Sequence, residues 1–265
     1  MEAIIYVIIF ITGAFFGSFY TLATYRIPRN QDITHSRSYC PNCKHKLGFL
    51  DLFPILSYIF LGGKCRYCKK KISPRYLILE VLSGITFLAL FYLMKIDIYN
   101  ISITSLCEYA FFALYLSFIF ITAGIDKENS KIEKSVSVYG IAISLMYIVY
   151  LYIVEKANIY RYAIYIMSYL IVLIFDTINL KKYAKEKYLT GLLLTLITME
   201  VFTGEIVTGI SVAITLLIIC IWALIQKFKL TKDKERIIDN FKMGYCLCIF
   251  NIIAMLSILI YTIII

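Results

Sequence analysis

Eight stretches of this chain are apolar for about the length needed to cross a bilayer, and few folds satisfy that constraint. A hydrocarbon layer ~30 Å thick takes about 20 helical residues to cross. Backbone N–H and C=O groups inside it must pair within the protein, which leaves helices or closed barrels. The runs lie near 3–25, 76–95, 102–125, 135–154, 160–180, 188–203, 206–226 and 243–265. The sixth is short and shares a Thr203-Gly204-Glu205 turn with the seventh. Composition agrees: 61% of residues are hydrophobic and 17% charged, whereas a soluble domain is nearer 45–50% and about 25%. An ordinary soluble enzyme is excluded. The expected fold is an all-α integral membrane protein of about eight transmembrane helices, organised as a first helix (1–25), a polar loop (26–75) and a helical bundle (76–265).

The net charge of +10 would suggest nucleic acid in a soluble protein, but here its placement decides. With eight spans, the connections 26–75, 126–134, 181–187 and 227–242 share one side and hold 24 of the 27 basic residues. The opposite connections hold only Lys95, Lys156 and Arg161. The positive-inside rule then puts both termini outside and the long loop 26–75 in the cytoplasm of a multi-pass plasma-membrane protein. The charge is mainly topogenic, with a further attraction to anionic headgroups, and no nucleic-acid partner is expected. The N-terminal run follows Met1-Glu2 without a basic n-region and exceeds a signal-peptide core, so it reads as a retained span.

Within the loop, Cys40-Pro-Asn-Cys43 is followed by Cys65-Arg-Tyr-Cys68. Each pair can form a knuckle that presents two thiolates, and two knuckles complete a tetrahedral Zn2+ site at ~2.3 Å per Zn–S bond. Two disulfides or four free thiols are the alternatives, and a reducing cytoplasm argues against the disulfides. Four ligands of one kind leave no open position for water, so the metal is structural. Cys107, Cys220, Cys246 and Cys248 lie in apolar spans at no ligand spacing and read as small packing residues. His35 and His45 are the only histidines and both lie in the loop, so histidine-based chemistry within the membrane is poorly supported. Between the knuckles, residues 51–61 are apolar but too short to span, and read as a segment packed on the bilayer surface.

An ionisable residue near the centre of a span costs at least ~2.5–3.5 kcal/mol, which makes each one a functional candidate. Asp126 ends the third span, Asp176 lies one turn before the end of the fifth, Glu186 starts the sixth, and Glu80 is one turn inside the second. In the expected topology all four reach the cytoplasmic level, beneath the zinc loop. Two carboxylates held close together cannot both ionise easily, so one becomes an acid and the other a base able to activate water. The alternative is that each marks a helix end within reach of headgroup water. Glu108, Glu200 and Glu205 fall on the opposite side and read as solvated.

These residues together resemble the type IV prepilin peptidases, membrane aspartic proteases of bacteria. The resemblance covers roughly the first 85 residues: Gly17-Ser18-Phe19, Tyr25-Arg26-Ile27-Pro28, the two CxxC pairs, Asp51 with Pro54-Ile-Leu-Ser-Tyr58, and Ile72-Ser-Pro-Arg-Tyr76 leading to Glu80. It implies an enzyme that cleaves the short basic leader of prepilins or pseudopilins after a glycine at the cytoplasmic face. It also implies N-methylation of the new terminus with S-adenosylmethionine in many members. Ile125-Asp126 matches the family's first catalytic aspartate, although Ile132-Glu133 stands where Ile-Pro is usual. The second aspartate normally sits in a GxGD motif, which this chain lacks, leaving Asp176, or Glu186 as the alternative second acid. Asp51 and Glu80 become candidates for contact with substrate or cofactor. A member that has lost the reaction and acts as a membrane scaffold or pilus or secretion assembly factor is the competing expectation.

Overall fold

The computed structural model describes residues 2–35, 37–100, 102–154, 159–178, 184–228 and 242–264, with the side chains of 159, 178, 184–186 and 226–228 left out of the description. The described chain is helical, and seven of its helices are long and apolar enough to cross a membrane. It divides into two compact units, Met1–Ser105 and Leu106–Ile265.

The first unit is built on α1 (Glu2–Arg26) and α4 (Arg75–Leu93), with two short helices, α2 (Phe49–Leu52) and α3 (Leu56–Phe60), in the connection. Lipid tails are as apolar as leucine, so helices in a bilayer associate through close packing at small residues. Gly13 and Gly17, four apart on one face of α1, do this here. A Cβ at Gly13 would sit 2.7 Å from that of Phe87, and one at Gly17 would sit 2.8 Å from the Cα of Glu80. Gly84 admits Phe10 in the same way from the α4 side. Gly17→Leu is therefore expected to force α1 and α4 apart and lower stability by about 3 kcal/mol. Thermal unfolding in detergent checks this, with Gly209→Leu, which faces open space, as the control that leaves the midpoint nearly unchanged.

The second unit contains α5 (Ile103–Asn129), whose first residues lie in the first unit, then α6 (Lys134–Val154), α7 (Ile159–Ile178), α8 (Ala184–Phe228) and α9 (Met243–Ile264). Its core is aromatic: the Phe202 ring stacks on Tyr115 and on Tyr147, each at 4.7 Å between centroids. A polar network threads this apolar core. Tyr115 donates to Asn251 Oδ1 at 2.6 Å, and Asn251 Nδ2 lies 3.3 Å from both Thr203 Oγ1 and Ser211 Oγ. Eight residues of unbroken helix would separate Thr203 from Ser211 by about 12 Å, so α8 must turn back between them. It does so at Gly204, whose φ of 77° and ψ of 171° are not helical. A positive φ suits glycine, which has no Cβ to clash. The 45-residue α8 thus supplies the short sixth and the seventh apolar segments expected from the sequence. Close to the turn, Glu205 accepts from Tyr165 at 2.7 Å and pairs with Arg161 at 3.1 Å, so it is tied to α7 as well as exposed.

Candidate functional site

The loop of the first unit is organised by one turn used twice. At Cys40 the backbone N–H donates to His45 O and the carbonyl accepts from Lys44. At Cys65 the N–H donates to Lys70 O and the carbonyl accepts from Lys69. Lys44 and Lys69 both have left-handed φ, 58° and 59°, and single bridges Tyr39–Lys46 and Lys64–Lys71 close the two knuckles. The pattern C-x-x-C-K-x-K is visible at both places in the sequence, although no longer repeat exists.

This geometry brings all four cysteines together. Their sulfurs lie within 4.8 Å of one another, with Cys40 Sγ 3.9 Å from Cys68 Sγ. A tetrahedron with 2.3 Å arms has edges of about 3.8 Å, so the cluster fits a four-thiolate Zn2+ site. The Lys70 N–H, followed by the Asn42 amide, favours the thiolate and brings the Cys68 thiol down to about 6. Asn42 also accepts from Lys70 Nζ at 2.9 Å, which links the knuckles. The His45 ring packs on Tyr67, with centroids 3.6 Å apart, and is not among the cluster's ligands.

Asp51 serves this loop. Its carboxylate accepts from Arg66 Nε at 2.5 Å, from the Gly48 N–H at 3.1 Å and from the Tyr67 hydroxyl at 3.2 Å. Burial raises its pKa, but these donors outweigh burial and hold it below the usual carboxylate value. Arg66 and Tyr67 are the two residues between Cys65 and Cys68, so the clip fixes the second knuckle. Groups that orient metal ligands in this way typically change affinity by 10–100-fold when removed. Arg66→Ala is expected to weaken Zn2+ retention by about that factor, measured by competition with a chromogenic chelator. Glu80 is 8% exposed, and its Oε2 accepts the Ile55 N–H at 2.8 Å. Both candidates are thus engaged by the first unit itself.

In the second unit Asp126 is completely buried, at 0% exposure, near the end of α5. Its Oδ2 accepts the Tyr245 N–H at 2.8 Å, while Oδ1 finds no hydrogen-bond partner among the described residues. The approach depends on Gly244, since a Cβ there would come within 3.3 Å of Oδ2. The Tyr188 hydroxyl accepts the Gly244 N–H at 3.0 Å and reaches Asp126 as well. Tyr245 is held from its other end by Lys127 Nζ, 3.2 Å from the phenol, and Lys242 donates to Ser130 Oγ beside it. Asp126 is therefore enclosed by Tyr188 of α8 and by the first turn of α9. Sequence reasoning missed Tyr188, Gly244 and Tyr245, which stand 62 to 119 residues away from it in the chain. Their only local signal is a glycine at the start of an apolar run.

Asp176 is half-buried in the last turn of α7, a helix that packs on α6 and α8. The side chain of Glu186 lies outside the described residues, although its backbone belongs to α8. Of the other cysteines, Cys248 is core, Cys107 and Cys246 are half-buried, and Cys220 is exposed on the bundle.

Residues 11–94 match the family model of the bacterial peptidase A24 N-terminal domain. Proteins named prepilin leader peptidase/N-methyltransferase are similar to the chain. That of Vibrio cholerae serotype O1 is 32% identical over 161 residues, covering 50% of this chain and 63% of the relative. That of Myxococcus xanthus is 40% identical over 83 residues, covering 31% and 25%, and that of Bacillus subtilis is 43% identical over 82 residues, covering 31% and 33%. The chain thus aligns with less than two thirds of the length of these relatives. No solved structure matches.

Proposed function

From matches that support a member of the type IV prepilin peptidase family, we propose that the chain is an intramembrane aspartic endopeptidase. It cleaves the basic leader of type IV prepilins or pseudopilins after a glycine. The observation that carries the chemistry is Asp126, a fully buried carboxylate with one oxygen pinned by a backbone N–H and the other without a partner among the described residues. A buried carboxylate near the end of a membrane helix is costly. An oxygen left open for a water or a second carboxyl gives that cost a function.

Asp126 and a second acid share one proton. The ionised member takes a proton from water as the water adds to the carbonyl carbon of the scissile bond. The protonated member then donates to the departing nitrogen as the C–N bond breaks. Asp176 is the proposed second acid, with Glu186 as its alternative. Tyr188 and the Tyr245 N–H orient Asp126. Glycine before the bond lets the chain adopt an extended path into a narrow site, since it has no side chain. The basic loops support a cytoplasmic location for 26–75 and for the cleavage, in a bacterial cytoplasmic membrane. Cys40, Cys43, Cys65 and Cys68 would hold a structural Zn2+ that orders the loop and would supply no catalytic step. N-methylation with S-adenosylmethionine rests on the names of the relatives alone. The chain has no glycine-rich nucleotide-binding loop.

The missing GxGD motif favours a second reading, in which the chain keeps the fold and works as a scaffold in pilus or secretion assembly. Incubation of the detergent-purified protein with a prepilin from the same organism separates the two. Mass spectrometry should show the prepilin shortened by its leader. An intact prepilin after incubation with folded, zinc-loaded protein supports the scaffold.

A further inference from the structure

The connection between the first two long helices carries exposed apolar side chains that neither the metal site nor the protease chemistry uses; Asp51, among them in sequence, turns instead to Arg66 and Tyr67 of the second knuckle. Phe49 is 75% exposed, Leu50 72%, Ile59 59% and Phe60 83%. Four large apolar side chains facing outward within twelve residues of a polar loop need a covering.

Its depth identifies the covering. The Phe53 ring packs edge-on against Phe15 of α1, with centroids 5.3 Å apart. Phe15 precedes Arg26, the last residue of α1, by eleven positions, or about 16 Å along the helix axis. On the other side, Ile55 donates its N–H to Glu80, five residues and about 7 Å inside α4. Gly17 packs against Glu80 at the same level. Two independent contacts thus bring residues 53–55 below the ends of the helices that flank the loop.

The turn is also built for that depth. Pro54-Ile55-Leu56 forms a γ-turn, with Leu56 N 2.6 Å from Pro54 O and Ile55 at φ 63°, ψ −56°, a geometry uncommon for a β-branched residue. Irregular backbone at membrane depth is tolerated only where its polar groups are satisfied by protein. Here the buried Glu80 carboxylate accepts the N–H that the turn presents. Lys46 and Lys64 flank the segment at its two ends, where phosphate headgroups would meet them.

We propose that residues 49–61 form a re-entrant hairpin inserted in the leaflet on the loop side. Phe49, Leu50, Ile59 and Phe60 are covered by lipid acyl chains, and Glu80 is the acceptor that allows the turn to sit there. Glu80 is then a positioning residue and not a substrate ligand. The occupant is lipid because the segment is continuous with α1 and α4, which already cross the bilayer. The proposal needs only that crossing and is independent of the proposed protease activity.

The test uses full-length protein with the single tryptophan replaced (Trp222→Phe), reconstituted in phosphatidylcholine–phosphatidylglycerol vesicles whose acyl chains carry bromine. Phe60→Trp and, separately, Phe49→Trp report on the segment, and His35→Trp reports on the exposed loop. Zinc content verifies folding of each variant. Quenching at positions 60 and 49 should exceed that at 35 by at least about twofold, with a blue-shifted emission, as for side chains 5–10 Å below the headgroups. Adding Glu80→Leu to the Phe60→Trp variant should reduce its quenching. Equal quenching at 60, 49 and 35 overturns insertion. Blue-shifted emission that neither bromine nor acrylamide quenches also overturns it, in favour of coverage by protein.

Discussion

Asp126→Asn is expected to abolish leader cleavage while leaving the protein folded. The amide oxygen can still accept the Tyr245 N–H that holds Oδ2 at 2.8 Å, so the first turn of α9 keeps its anchor. What is lost is the ability to take up and release a proton. General acid–base catalysis is worth about 10²–10⁴ in rate, and a two-carboxylate site that loses one member should fall by at least that much. The measurement is the initial rate of leader removal from a prepilin by purified wild-type and variant protein, with thermal unfolding in detergent as the control for structure. Asp176→Asn and Glu186→Gln tested alongside identify the second acid, which is whichever causes a loss comparable to that of Asp126→Asn. Tyr188→Phe should have a smaller effect, because it removes an orienting hydroxyl but leaves both acids. Unreduced cleavage in Asp126→Asn would remove the mechanism altogether.

The second large effect belongs to the metal. A loop of about 50 residues with two four- or five-residue helices has little core of its own, and Cys40, Cys43, Cys65 and Cys68 form a tight cluster within it. Structural zinc supplies about 10–16 kcal/mol of apparent binding free energy in small domains of this kind, and that energy is largely folding energy. Cys40→Ser, or chelation of the wild type, should therefore unfold the knuckles. The loop carries eleven of the chain's basic residues, so its unfolding should expose it to trypsin. Cleavage between residues 26 and 75 should rise by orders of magnitude, while α5 to α9 stay intact. Metal analysis of the wild type should give about one zinc per chain. A loop that stays protease-resistant after complete metal removal contradicts this account.

Some of this architecture is legible residue by residue. The two CxxC pairs specify their own geometry, because the reach of each knuckle is local and the tetrahedron admits few alternatives. Asp126 stands out because a carboxylate in an apolar run is costly wherever the helix packs. Gly204 between a threonine and a glutamate signals the turn that divides α8. Other features carry no comparable signal. Nothing local to Tyr188, Gly244 or Tyr245 shows that they enclose Asp126, because that contact depends on how α8 and α9 pack against α5. Asn251 reads as one polar residue in an apolar helix until Thr203, Ser211 and Tyr115 are seen around it. Asp51 and Glu80 are candidates for substrate or cofactor contact on their position in the motif; the fold adds that one clips a cysteine knuckle and the other accepts the N–H of a γ-turn.

The amino-acid sequence alone determined that this chain is a helical membrane protein, which segments are long enough to cross, and which four sulfurs can hold a metal. Those properties follow from hydrophobicity, helix length and ligand spacing, all read over a few to about twenty neighbouring residues. Only the tertiary structure decided which oxygen of Asp126 is bound and which has no partner among the described residues, that α8 folds back onto Asn251, and that residues 53–55 lie level with Phe15 and Glu80. Each of these is a contact between segments far apart in the chain. Its geometry is set by helix packing, where a missing Cβ at Gly17 or Gly244 matters more than any local preference.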